Sequence, residues 1–135
     1  MSATETPALE RSIPAPKRHP DTRHFWEAAD QRRLLYKHCG ACGKPHFYPR
    51  PLCPFCFSDA TEWREASGGA TLYTYTVMRR ADPPYAIAFV TLDEGVSMMT
   101  NIVDADFDAL RIGQRVRLKW QAAEDGTPVA MFAPA

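Results

Sequence analysis

Four cysteines stand as two pairs, Cys39-Gly-Ala-Cys42 and Cys53-Pro-Phe-Cys56, and the chain has no others. A two-residue gap lets both thiolates of one tight turn point at the same ion. The ten residues between the pairs are enough for one short hairpin. Two such turns facing each other supply tetrahedral sulfur ligation, so Cys39, Cys42, Cys53 and Cys56 are expected to hold zinc in a ribbon. A catalytic zinc keeps an open position with three protein ligands, whereas four thiolates close the shell. The ion is therefore expected to be structural. A Cys-Pro-x-Cys turn also suits iron, so iron in recombinant protein would not imply electron transfer.

Other candidate chemistry is thinner. His38 and His46 flank the first pair, but four thiolates leave neither needed as a ligand. No acid/base pair or nucleophile motif occurs, and Ser67 lacks a G-x-S-x-G setting, so no catalytic activity of its own is expected. Arg32, Arg33 and Lys37 lie between helix and ribbon and could meet the phosphates of a coenzyme A. Arg79 and Arg80 form a second candidate. Arg115, Arg117 and Lys119 make a basic stripe that reads as the solvated outer face of a strand. Phe25 and Trp26 are either core or anchors for a partner.

These groups need a scaffold to position them. Residues 1–20 hold four of the twelve prolines and few apolar residues, which predicts a flexible tail. Asp21 or Thr22 can cap a helix with Phe25, Trp26 and Ala29 on one face, and a lead-in strand to residue 37 follows. The ribbon occupies residues 38–66. Gly43 follows the first pair, where the turn wants a positive φ, while Phe57 holds the equivalent place after the second. Ser67-Gly68-Gly69 marks a break, and residues 67–135 read as all-β. Five strands are expected over 70–78, 85–92, 96–103, 115–120 and 129–132, with one helical turn within 104–110. Tyr73, Tyr75 and Val77 are expected to face inward. Five short strands interrupted after the third fit a small barrel of the OB type.

Bulk properties narrow the function. Residues 1–50 carry 9 Lys/Arg against 5 Asp/Glu, and residues 51–135 carry 7 against 11. The acidic larger part argues against a single-stranded nucleic-acid binder, the main alternative; a rubredoxin-like electron carrier with iron in the four-cysteine site is the lesser one. No stretch resembles a membrane span, and the N-terminus lacks the basic and apolar regions of a signal peptide, so a cytoplasmic location is expected.

Taken together, Phe25-Trp26-Glu27, Arg33-Leu34-Leu35, the two cysteine pairs, Tyr48-Pro49-Arg50, Gly69-Ala-Thr-Leu-Tyr, Pro84-Tyr85, Leu92-Asp-Glu-Gly and Ile112-Gly113 resemble one family. These are the zinc-ribbon/OB-fold proteins associated with acyl-CoA metabolism, formerly a domain of unknown function. The resemblance covers about residues 22–134. It implies a mainly β protein with one N-terminal helix, a rubredoxin-like zinc ribbon and a five-stranded OB-fold barrel. It also implies a non-catalytic accessory subunit beside a thiolase-like or hotdog-fold hydratase-like enzyme, there to scaffold the complex or help hold an acyl-CoA.

Overall fold

The computed structural model describes residues 11–135. One helix, α1 (Arg23–Asp30), precedes eight strands. Thr22 occupies the N-cap but does not cap with its side chain, because its hydroxyl donates to the His19 carbonyl instead. The helix ends where Arg32 turns left-handed at φ 59° and its N–H reaches the Ala29 carbonyl.

β1 (Leu35–Cys39) is the centre of a three-stranded sheet, flanked by β2 (Pro45–His46) and β3 (Thr61–Glu65), both antiparallel to it. The remaining strands are β4 (Gly69–Met78), β5 (Tyr85–Leu92), β6 (Ser97–Ile102), β7 (Arg115–Ala122) and β8 (Pro128–Pro134). They close into a barrel in the order β4-β5-β6-β8-β7, the strand order of an OB fold. Between β6 and β7 lies a single 3₁₀ turn, Phe107–Ala109, with the Asp106 carboxylate accepting from the Asp108 N–H. The expected helical turn is therefore present.

Strict alternation fills the barrel. Ala86, Ala88, Val90 and Leu92 of β5 point in and meet Leu72, Val116 and Phe132 in one core. The core continues through Leu34 and Leu35 to Phe25, Ala28 and Ala29 of α1. Tyr73 departs from expectation. A register shift between Leu72 and Thr74 places it outward and 65% exposed. Tyr75 and Val77, beyond the shift, are half-buried against the core, and the Tyr75 hydroxyl donates to the Leu110 carbonyl. A Cβ at Gly69 would meet the ends of the Asp93 and Arg115 side chains, which lie across it and would have to shift. Those two side chains form a bidentate pair at 2.7 and 2.9 Å. Of the basic stripe, Arg115 is thus occupied with Asp93, and Lys119 pairs with Asp104.

Residues 1–10 of the expected tail lie outside the described residues. The next part has no regular secondary structure but is held along the barrel. The Arg11 guanidinium sits 3.9 Å over the Tyr85 ring and donates to Asn101 at 2.9 Å. The Glu124 N–H donates to the Ile13 carbonyl, and the Ile13 side chain packs on Val103, Met131 and Ala133. Arg18 grips Asp30 through two hydrogen bonds of 2.7 and 2.9 Å. Sparse apolar content hid this strap, because most of its contacts are single pairs with residues far along the sequence.

Candidate metal centre

The two cysteine turns are built alike. In the first, the Cys39 N–H donates to the Lys44 carbonyl and the Gly43 N–H to the Cys39 carbonyl. In the second, the Cys53 N–H donates to Ser58 and the Phe57 N–H to Cys53. Each turn also aims an N–H at its leading sulfur, Cys42 at Cys39 (3.5 Å) and Phe55 at Cys53 (3.4 Å). Closing such a knuckle needs a left-handed residue at its end. Gly43 supplies it at φ 77°, and Phe57 adopts it at φ 64°. For a non-glycine residue that conformation costs about 1–2 kcal/mol.

The four sulfurs lie within 4.8 Å of one another, with Cys39 and Cys56 at 3.6 Å and Cys42 and Cys53 at 3.7 Å. A disulfide would bring a pair to about 2.0 Å. A tetrahedral ion with metal–sulfur bonds of about 2.3 Å requires sulfur–sulfur edges of about 3.8 Å, so the donor set fits. Cys39 and Cys53 are buried, while Cys42 and Cys56 reach the surface.

Electrostatics also call for a cation. The Cys42 N–H is the main group holding the Cys39 thiol below its usual value, against burial. Burial opposes ionisation of Cys53, but the N–H groups of Cys56 and Phe55 and the neighbouring thiols outweigh it and bring Cys53 to about 7. The Ser58 N–H favours the Cys56 thiolate, yet burial and the other three thiols together push Cys56 up to about 11. Four thiolates so close together become stable near neutral pH only around a metal ion.

Neither flanking histidine belongs to this set. His46 is buried on β2, its Nε2 accepts from the Arg50 N–H at 3.3 Å, and burial lowers its pKa. Its Nδ1 is buried without a partner, as is that of His38.

Phe25 and Trp26 are buried, not exposed as partner anchors would be. They join Phe47 and Tyr48 in an edge-to-face cluster, and the Trp26 indole N–H donates to the Tyr48 hydroxyl at 2.8 Å. The candidate phosphate cations sit in separate settings. Arg33 pairs with Glu65, and an Arg32 guanidinium N–H donates to the Asp30 carbonyl. Lys37 lies 4.5 Å over Trp63 and donates to Thr61, and burial lowers its pKa. Arg79 pairs with Asp108 beside the 3₁₀ turn, next to an exposed Arg80. Sequence reasoning passed over a different group around the second knuckle, where Leu52, Phe55 and Phe57 are 48%, 56% and 75% exposed. Phe57 in the place of a glycine was the signal available.

Helix, four-cysteine metal site and closed five-stranded barrel define a zinc-ribbon/OB-fold protein. Residues 26–62 match the family model of the ChsH2 rubredoxin-like zinc ribbon domain, and residues 63–121 that of the ChsH2 C-terminal OB-fold domain. The chain belongs to this family, the DUF35 family. It is 30% identical over 118 residues to a DUF35 domain-containing scaffold protein of Methanothermobacter thermautotrophicus, covering 78% of this chain and 89% of that protein. It is 35% identical over 127 residues to a probable enoyl-CoA hydratase alpha subunit of Thermomonospora curvata. That match takes in 90% of this chain but spans only 40% of the relative's length. A solved structure of an Ltp2-ChsH2(DUF35) aldolase superposes with a TM-score of 0.77 at 34% identity, covering 89% of this chain and 98% of the matched chain. Among the described residues no helix is long and apolar enough to cross a membrane.

Proposed function

We propose that this chain is a non-catalytic accessory subunit of an acyl-CoA-processing enzyme. Its partner would be a thiolase-like or hotdog-fold hydratase-like subunit, with zinc as the structural ion of the ribbon. The observation that carries the reading is the closed four-sulfur centre on a chain similar over nearly its whole length to one component of an aldolase complex. An ion with four protein thiolates has no position left for substrate, so its contribution is rigidity. The scattered cations described above offer no single phosphate cradle, which supports leaving the thioester chemistry to the partner.

The OB-fold alternative, single-stranded nucleic acid, loses support from the barrel's outer face. Tyr73, Phe89 and Met99 are exposed on neighbouring strands, but the outward residues of β5 and β6 are Tyr85, Ile87, Phe89, Thr91, Ser97, Met99 and Asn101, without a charge of their own, and Arg11, which lies over this face, is held by Tyr85 and Asn101. Stacking platforms for nucleic acid combine aromatics with cations that track the phosphates.

Affinity capture of the full chain from cells that express it natively, at near-physiological salt, tests the reading. A stoichiometric acyl-CoA enzyme identified by mass spectrometry is the expected outcome. Recovery of the chain alone, or only with nuclease-sensitive companions, would sink it.

A further inference from the structure

The two knuckles share their hydrogen bonding and both end left-handed, but only one ends in glycine. Glycine would relieve the second turn at no loss of contact, since the Phe57 ring is 75% exposed and contributes little to the fold. Strained, exposed residues of this kind concentrate where they serve binding. Leu52 and Phe55 stand on the same knuckle, half-exposed, so three large apolar side chains within six residues share one tip.

The cleft beside that tip is flanked by cations. Lys44 and Arg50 are the cations beside it, and Asp59, exposed just after the knuckle, is the nearest carboxylate along the chain. Lys44 lies 5.1 Å from the Phe55 ring, and Arg50 lines the same cleft of about 400 Å³ as Phe55. An apolar centre with a charged rim is the anatomy of a docking surface, and the rim selects the partner by its opposite charge. A second copy of this chain would set cation against cation.

We propose that the second knuckle is the tip that docks this chain onto its enzyme partner, against a protein surface with an apolar centre and an acidic rim. The inference rests on the accessory-subunit reading and assigns that role to Leu52, Phe55 and Phe57, with Lys44 and Arg50 around them.

The test uses the enzyme recovered in the capture experiment, purified, and the metal-loaded full chain. Calorimetric titration at about 0.15 M salt compares wild type with Phe57→Gly, Phe57→Asn and Arg50→Glu. Phe57→Gly should keep its metal and melt roughly 2–8 °C higher, yet bind the enzyme at least about tenfold more weakly. Phe57→Asn, which tolerates the left-handed turn, should lose affinity alike. Arg50→Glu should weaken binding most at low salt. Unchanged affinity in all three variants overturns the docking tip and leaves the accessory-subunit reading standing. Metal loss in Phe57→Gly overturns the tip by making the ring structural. Wild type that dimerises through Phe57 overturns the choice of occupant. Capture of no acyl-CoA enzyme at all overturns both readings.

Discussion

In the barrel, Leu72, Val90, Val116 and Phe132 come from four strands and are all fully buried against one another. Between Gly40 and Ala60 only His46, Pro49 and Cys53 are buried, while Leu52, Phe55 and Phe57 face outward. The barrel obtains its order from apolar area withdrawn from water, roughly 1.5–3 kcal/mol for each large side chain. Structural zinc sites supply about 10–16 kcal/mol through their ligands. A segment held by its ion does not need its apolar residues inside. Those residues are then free to serve the surface.

Removing the ion is the sharpest way to break this contrast. Chelation, or Cys39→Ser, should raise hydrogen exchange throughout residues 39–58 while β4–β8 stay protected. The loss approaches the ligation free energy of about 10 kcal/mol or more. If barrel protection collapsed together with the knuckles, the two regions would be one cooperative unit and the contrast would fail. The converse perturbation is Phe132→Ala, which opens a cavity in the barrel and should cost about 3–5 kcal/mol. Its melting temperature should fall with the metal-to-protein ratio unchanged.

Smaller effects sharpen the comparison within the ribbon. A Cβ at Gly43 would meet nothing within 4 Å, so Gly43→Ala should destabilise through backbone conformation alone. Phe57→Gly relieves the same conformation, so the two changes should have opposite signs and similar size, about 1–2 kcal/mol each. Denaturant titration of the metal-loaded chains reads both. Equal signs would mean that the knuckles are not equivalent.

The smallest effect is a pH slope. Burial lowers the pKa of His46 from the unfolded value of 6.5. Above 6.5 both states hold it neutral, and its contribution to stability is complete. As pH falls, the unfolded chain takes up a proton that the native chain refuses, so stability declines until the depressed native pKa is reached. His46→Leu should flatten that part of the melting-temperature profile relative to wild type. An unchanged slope would assign the decline to the thiolates instead.

Local features were legible in the sequence, and distant partnerships were not. The cysteine spacing, the two knuckle ends and the alternation of β7 depend on neighbours along the chain, and the expected ribbon and barrel are both there; β5, apolar on both faces and so expected to be covered on each side, buries only one of them. Tyr73 turned outward because a bulge shifted the register, and a bulge is set by strand pairing that no local period records. Phe25 and Trp26 sit on the expected helix face, but their burial depends on Phe47 and Tyr48, which the fold brings across from the ribbon. The docked strap was hidden for the same reason.

That strap bears on how the protein is made. β6 and β8 meet in parallel through a single residue pair, Ile102 and Phe132, and Ile13 packs beside this seam on Val103 and Met131. Arg18 can grip Asp30 and Arg11 can grip Tyr85 and Asn101 earlier, but the Ile13 side chain cannot complete its seat on Met131 and Ala133 until β8 has been synthesised. At a translation rate of about 5–20 residues per second, that leaves Ile13 waiting several seconds after it is made. The ribbon, whose four ligands span only residues 39–56, can take its ion long before. Synthesis thus favours an order of assembly, with the metal knuckles first, the barrel second and the seating of Ile13 across the joint last.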